Sequence, residues 1–450
     1  MPKALPPIPS YDDIQASSCL SVKRLLEAVR KTFTKIPEHR TASVEYSLVD
    51  TLMSGAAVFS LKFPSLLKFD ENREEAHIKH NLQTLYGVSG QAPCDTQMRT
   101  ILDPVEPAQV AKGFDTLHRS LERNGVLREF KYLGALVILL DATGEYSSNC
   151  IGCPDCCTRT HSDGTVEYYH QMLAAVIACP NKKTVLPLAP EPIIKQKDAS
   201  KNDCEINAAK RLMPKIRKLF PKRKIIIAAD GIYSKGPFIK LLKELNFDYI
   251  LVAKESDHVN LVNEYIERRV ASKAEEYEET KDGLTQGFCW TNDLSLNASH
   301  SDIKVNLLNF WEIKQDEEKP HSWIWITNLK LTRRSVCRVM RAGRCRWKVE
   351  NETFNTLKNQ GYNLEHNYGH GKQHLATVFG YLMLLMFLID QIQEACCPLF
   401  QAARNRLHSR TSLWEKLRGF FTNYFIESWE DIWLSVIYGN QRGALAPNTS

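Results

Sequence analysis

The chain has 450 residues, 43% of them apolar, and carries 58 Lys and Arg against 52 Asp and Glu for a net charge of +6. That composition excludes a disordered or collagen-like chain and leaves enough apolar material for two or more domains. A charge so nearly balanced also excludes polyanion binding by charge excess alone, so affinity for nucleic acid has to come from local patches.

The first segment, MPKALPPIPSYDD, is Pro-rich and lacks the basic stretch and apolar run of a secretory signal. Ser21 is placed to cap a helix running to Ile36. Its apolar residues Val22, Leu25, Leu26, Val29 and Phe33 keep the 3.6-residue period, while Lys23, Arg24, Arg30, Lys31 and Lys35 cover the other face. Helical segments continue to about residue 130, among them EEAHIKHNLQTLYG and, opened by Asp95, DTQMRTILDPV. The pair is compatible with a helix-turn-helix reading DNA through Gln97 and Arg99, and also with a helical domain that only packs on the core.

From Lys131 the pattern changes. Strands are predicted at about 133–141, 167–179 and 183–189, then a helix from Asp203 to Phe220, a strand at 224–229, a helix at 236–245 and a strand at 248–253. Residues 254–330 read as strand-rich, in EYEETKD, QGFCWTND, IKVNLLNFWEI and SWIWITNLK, before helical character returns near Arg333. The apolar run Leu375 to Ile389 falls short of the roughly 20 residues of a spanning helix and reads as a buried core helix. The tail, with WEKLRGFFTNYF and ESWEDIWLSVIYG, is amphipathic. The predicted fold class is therefore α/β, a mixed sheet with flanking helices. It divides into a helical region at 1–130, the first part of the core at 131–253, a β-rich insertion at 254–332, a final core helix at 333–371 and a helical region at 372–450.

Three carboxylates stand out on this map. Asp141 closes the strand in LVILLDATGEY, Asp230 closes the strand in KIIIAADGIYS, and Glu350 lies inside RRSVCRVMRAGRCRWKVENETF. The carboxyl ends of strands are where open sheets hold ligands. From Arg333 to Lys348 there are six Arg and one Lys with no acidic residue. Acidic groups that hold Mg²⁺ or Mn²⁺, surrounded by cations that accept phosphates, are what metal-dependent cutting of nucleic acid requires. The candidate DNA contacts are Arg341, Arg344, Arg346, Lys348 and Lys358, with Trp347 either stacking on a base or packing its helix onto the sheet. The separations of 89 and 120 residues mean that only folding can assemble the site, and each acid taken singly also fits a strand-end or turn role. Glu352 competes with Glu350. At about 100° per residue the two point roughly 200° apart, and Arg346, Glu350, Phe354 and Lys358 share one helical line, which favours Glu350.

A second cluster, Cys150, Cys153, Cys156 and Cys157, follows directly after Asp141, with His161 and His170 downstream. Thiolates at this spacing can hold a structural zinc; the alternative is a set of reduced thiols. Thirteen cysteines without an export signal point to a reducing, cytoplasmic compartment. His366 and His370 in EHNYGHG are read as hydrogen-bonding or DNA-contact residues, because Gly369 and Gly371 favour a loop over a ligand-bearing helix. Lys201, Asp203 and Glu205 are read as helix-capping and surface charges.

Together these residues resemble the DDE transposases of bacterial insertion sequences, in particular the group named after insertion sequence four. The resemblance spans about 95–390 and rests on LDATGEY, EPIIKQKDASKNDCEINAAKR, AADGIYSKGPFIKLL with FDYILVAKESDH, and GRCRWKVENETFNTLKNQGYNLEHNYGHG. It implies a ribonuclease-H-like catalytic core interrupted by a β-rich insertion, with Asp141, Asp230 and Glu350 as the catalytic triad holding two Mg²⁺ or Mn²⁺ ions. The family's last motif runs tyrosine, two residues, arginine, three residues, glutamate, six residues, lysine. Arg346 and Glu350 fit it, Gly343 stands at the tyrosine position, Leu357 at the lysine position, and Lys358 comes one residue late. The implied activity is strand cleavage at the element's ends and transfer of the freed 3′-hydroxyl to target DNA. The implied partners are the terminal repeats, target DNA and a second copy of the chain, with no membrane, in the cytoplasm at the nucleoid. Two other readings stand beside it: a stand-alone metal-dependent nuclease, and a non-catalytic DNA-binding protein derived from a transposase.

Overall fold

The computed structural model describes residues 9–10, 18–41, 44–195 and 201–439, with the backbone of 446–447. Most of the Pro-rich start, and residues 196–200 of the EPIIKQKDASKNDCEINAAKR segment, lie outside the described residues. Helices come first. The Ser21 hydroxyl accepts from the Arg24 amide and caps α1 (Val22–Phe33), which buries Val22, Leu25, Leu26, Val29 and Phe33 as its periodicity predicts. There follow α2 (Leu48–Ser60), buried on nearly every side, α3 (Leu66–Asp70), α4 (Ala76–Tyr86), α5 (Asp95–Leu102) and α6 (Pro107–Arg123). Arg99 on α5 donates to the Tyr368 carbonyl at 3.1 Å, which commits it within the protein, whereas Gln97 is exposed.

The sheet begins with β1 (Lys131–Tyr132), β2 (Ala135–Ser148), β3 (Cys157–Thr160), β4 (Val166–Ala178), β5 (Leu186–Pro187) and β6 (Glu191–Ile193). Then come α7 (Glu205–Leu219), β7 (Ile225–Ala229), α8 (Gly236–Glu244) and β8 (Asp248–Val252). The strand order is β3-β4-β2-β7-β8; β4 runs antiparallel to β2, while β7 and β8 run parallel to it and to each other. Such central strands are covered on both faces, and Leu136–Leu140 and Ile225–Ala229 are accordingly unbroken buried apolar runs. This is the ribonuclease-H-like α/β arrangement.

The insertion contributes α9 (Val259–Val270), β9 (Glu275–Lys281), β10 (Leu284–Ser295), β11 (Lys304–Lys314) and β12 (His321–Thr327). Because β12 pairs antiparallel with β8, these strands extend the core sheet, in the order β8-β12-β11-β10-β9, to twelve strands. Helix α9 corrects the strand-rich reading at its start: Leu261, Val262 and Tyr265 turn inward at helical spacing.

The chain then returns through α10 (Val336–Arg344), a tight turn at 345–348, a π-helical turn at Val349–Phe354 and α11 (Asn355–Asn359). The last helices are α12 (Leu375–Cys396), α13 (Pro398–Arg406), α14 (Arg410–Asn423) and α15 (Trp429–Tyr438). Helix α12 has 22 residues and is apolar and long enough to cross a membrane, but protein surrounds it: it packs on α2, α6 and β5 and joins both sets of helices to the sheet. One buried ion pair reinforces that junction, with Lys62 Nζ 2.5 Å from Asp390 Oδ2 and 3.9 Å from the centre of the Trp414 ring.

Candidate active site

Strands β2 and β7 pair Leu136 with Ile225 and Leu139 with Ala228, a constant offset of 89 residues. Asp141 and Asp230 are separated by the same 89, so continuing the register by two residues sets them side by side, roughly 5 Å apart along the hydrogen-bonding direction. Asp230 follows the carboxyl end of β7 as expected, but Asp141 does not close its strand: β2 runs on to Ser148, paired with β4, beyond the point where β7 stops. Each carboxylate is anchored by a backbone amide: Asp141 Oδ1 accepts from Ala142 at 3.0 Å, and Asp230 Oδ1 accepts from Gly231 at 2.6 Å, where it caps a short 3₁₀ turn.

Glu350 reaches this edge from the returning segment, which packs on β2 and β4. Arg346 links the two parts, with Nη1 2.8 Å from Glu350 Oε1 and 3.6 Å from Asp141 Oδ2. Glu350, rather than Glu352, carries this contact. The expected single α-helical line does not form, because the backbone passes through a turn and a π-helical stretch; π turns of this kind recur at functional sites. Beyond it Phe354 and Leu357 are buried, and Lys358 ion-pairs with Glu365 at 2.9 Å.

Burial pushes the Asp141 carboxyl up to about 6; the Arg346 charge opposes this, and the Glu350 and Glu205 carboxylates add to it. Glu205, assigned above to capping and surface charge, stands at the first turn of α7, where its Oε2 accepts from the buried Tyr233 hydroxyl at 3.2 Å. Burial raises its carboxyl too, and the Asp230 charge works in the same direction. Its neighbour Asp203 is buried and bound to Arg211 at 2.7 Å. Four carboxylates therefore come within electrostatic reach of one another, with Arg346 set against two of them. Asp141, Asp230, Glu350 and Glu205 could hold a divalent cation, since carboxylate oxygens are the ligands that Mg²⁺ and Mn²⁺ take and a cation would offset their mutual repulsion.

The basic run divides once folded. Lys348 Nζ donates to the Cys179 carbonyl at 3.0 Å and to that of Lys182, which commits it within the protein, whereas the exposed Arg344 pairs with Glu312 at the surface with contacts of 2.9 and 3.0 Å. Arg341 is exposed and bonds Asn181 at 2.8 Å. Trp347 is 49% exposed, 5.5 Å from the Arg346 guanidinium. At Gly343 the Trp325 indole fills the space a side chain would need.

Of the four clustered cysteines, Cys150 is exposed and Cys157 Sγ faces the Ile193 carbonyl at 3.9 Å. Cys153 and Cys156 instead gather with His170 and His370. No signal in the sequence joins His370 to the cysteines, since 214 residues separate it from Cys156.

No curated protein matches the chain. The model of the transposase DDE domain matches residues 158–388, a span that contains Glu205, Asp230, Arg346 and Glu350 and begins after Asp141. With just over half its length matched, on a ribonuclease-H-like sheet, the chain belongs to the transposase DDE domain family.

Proposed function

We propose that the protein is a DNA transposase that hydrolyses a phosphodiester at each end of its element and joins the freed 3′-hydroxyl to target DNA. The observation that carries this reading is the convergence of Asp141, Asp230 and Glu350 at one sheet edge, with Arg346 contacting the first and the third. Asp141, Asp230 and Glu350 would hold Mg²⁺ or Mn²⁺ ions, which when bound activate a water and stabilise the leaving 3′ oxygen. In the first step water attacks phosphorus and the 3′ oxygen departs as a hydroxyl. In the second that hydroxyl attacks a target phosphodiester and displaces another 3′ oxygen.

The chain's own groups prepare both steps. Arg346 neutralises part of the carboxylate cluster, and its planar fork suits a phosphate that enters beside it. Lys358 and Arg341 offer further charge for the DNA backbone. Trp347 is exposed enough to stack on an unpaired base. Cutting two ends together calls for two copies of the chain, and the proposal includes that pairing.

The test is cleavage of a DNA fragment carrying the element's terminal repeat, with Mg²⁺ or Mn²⁺, by the intact protein and by Asp230→Ala. Metal-dependent nicking at the repeat boundary, lost in the variant, supports the triad. Joining of the cut end to a second DNA then separates a transposase from a stand-alone nuclease. Binding of the repeat without any cutting would overturn the catalytic reading in favour of a DNA-binding protein.

A further inference from the structure

We propose that Cys153, Cys156, His170 and His370 form a structural zinc site that ties the loop after β2, the strand β4 and the loop before α12 into one unit. The four ligand atoms all lie within 4.8 Å of one another. Four of their six separations match the edges of a tetrahedron around a metal ion. Zinc bound at about 2.3 Å to sulfur and about 2.0 Å to nitrogen implies edges of about 3.8 Å between sulfurs and about 3.5 Å from sulfur to nitrogen. The structure has Cys153 Sγ 3.8 Å from Cys156 Sγ. From His170 Nε2 the distances are 3.4 Å to Cys153 and 3.3 Å to Cys156, and from His370 Nε2 to Cys156 the distance is 3.5 Å.

Other roles for these groups fit less well. A disulfide needs sulfurs about 2.05 Å apart, far closer than they lie. Thiol-to-imidazole hydrogen bonds could join such groups in pairs, but they do not require four ligand atoms to converge on one point. Both histidines are buried, and each turns Nε2 toward sulfur while its Nδ1 meets no hydrogen-bond partner among the described residues. Both rings thus present the same nitrogen to the sulfur-lined centre.

The position gives the site its purpose. Tyr146 lies five residues beyond Asp141 on β2; it pairs with His170 across the sheet, stacks on the His370 ring at 4.1 Å and donates to the Ile151 carbonyl at 3.0 Å. His170 stands four residues along β4 from Ala174, the partner of Asp141, hence about 13 Å from the catalytic edge. An ion here braces the strand that bears Asp141 against the chain returning from Glu350, without touching the carboxylates.

The full chain, purified from cells supplied with zinc and dialysed against a weak chelator, is expected to retain about one zinc per chain by elemental analysis. Cys156→Ser and His370→Gln are expected to lower this at least tenfold, and Cys150→Ser to leave it unchanged. Replacing the zinc with Co²⁺ in the unaltered protein avoids any folding defect of the variants. Sulfur-to-cobalt charge-transfer bands with the strong visible bands of a tetrahedral centre support the site. Absence of zinc together with absence of those bands overturns it, as does zinc whose cobalt replacement shows no sulfur band, which places the ion on carboxylates. Loss of zinc in Cys150→Ser equal to that in Cys156→Ser overturns the ligand set in favour of four cysteines.

Discussion

A Cβ built on Gly343 would lie 2.7 Å from Nε1 of Trp325, an indole that is 2% exposed on the neighbouring strand β12. Helix α10 approaches the sheet so closely there that a side chain fits only if Trp325 moves. Gly343→Ala is expected to destabilise the fold by about 1–3 kcal/mol through overpacking, and Gly343→Tyr by more. Urea unfolding checks this; a tyrosine variant as stable as the parent would show that Trp325 yields.

Asp141 should make the metal-free protein less stable as pH rises. Its folded carboxyl titrates near 6 against an ordinary 3.8, so the native state holds a proton that the unfolded chain has released, and stability falls between about pH 4 and pH 6. Asp141→Asn removes that penalty, with a gain on the order of 1 kcal/mol at neutral pH once solvent screening is allowed for. Metal reverses the order, because the ion needs the ionised carboxylate. Thermal melts at pH 5 and 7.5, with and without Mg²⁺, should show Mg²⁺ stabilising the parent at the higher pH and leaving the Asn variant unmoved. An equal Mg²⁺ response in both would remove Asp141 from the metal site.

Four residues further along β2, Glu145 is half-buried with both carboxylate oxygens shielded from solvent, and neither oxygen has a hydrogen-bond partner among the described residues. Burial pushes its carboxyl up to about 8, so the side chain is largely a neutral acid at pH 7. It fits because residue 380 is glycine; a Cβ there would meet Glu145 Oε1 at 2.4 Å. Between about pH 4.5 and 8 the native state keeps this proton and the unfolded chain does not, so stability declines with pH by at most about 1.4 kcal/mol per unit from this group. Glu145→Gln, neutral throughout, should gain on the parent as pH rises and match it near pH 4.5. Parallel pH–stability curves for the two proteins would contradict this.

The sheet was largely legible because strand identity rests on local pattern. The apolar runs ending at Asp141 and Asp230, the helix at Asp203–Phe220 and the strand-rich insertion all follow from periodicity, and β7, α7 and β9–β12 lie close to where they were expected, whereas β2 continues seven residues past Asp141 and the strand expected at 183–189 shrinks to Leu186–Pro187. The choice of Glu350 over Glu352 for the Arg346 contact also followed from spacing, since an i, i+4 pair meets in either helix type. What escaped depends on tertiary pairing. Helix α9 was hidden inside a stretch read as a whole. The π turn leaves no sequence mark. The basic run looked uniform, yet Lys348 turns inward onto backbone carbonyls and Arg344 is taken up by an ion pair with Glu312. His370 lies between glycines, and nothing local says that its ring will meet two cysteines from the other side of the chain.

Glu205 is the residue whose role changes most on folding, and it yields the sharpest functional prediction. As the first residue of α7 it had the look of a charge placed to suit the helix dipole. In the structure the Tyr233 hydroxyl holds its carboxylate, and it lies close enough to Asp230 and Asp141 for their charges to be felt. If it completes the metal environment, Glu205→Gln should fold normally, need more Mg²⁺ for half-maximal cleavage and cut about 10- to 100-fold more slowly. Tyr233→Phe, which frees the carboxylate without removing it, should shift the Mg²⁺ requirement in the same direction by less. A purely structural role predicts the opposite division: a lowered melting temperature with the Mg²⁺ midpoint unchanged. Titrating Mg²⁺ against cleavage rate for the three proteins, alongside their melting curves, separates these outcomes, and an unshifted midpoint in Glu205→Gln would return the residue to the role of a helix-terminal charge.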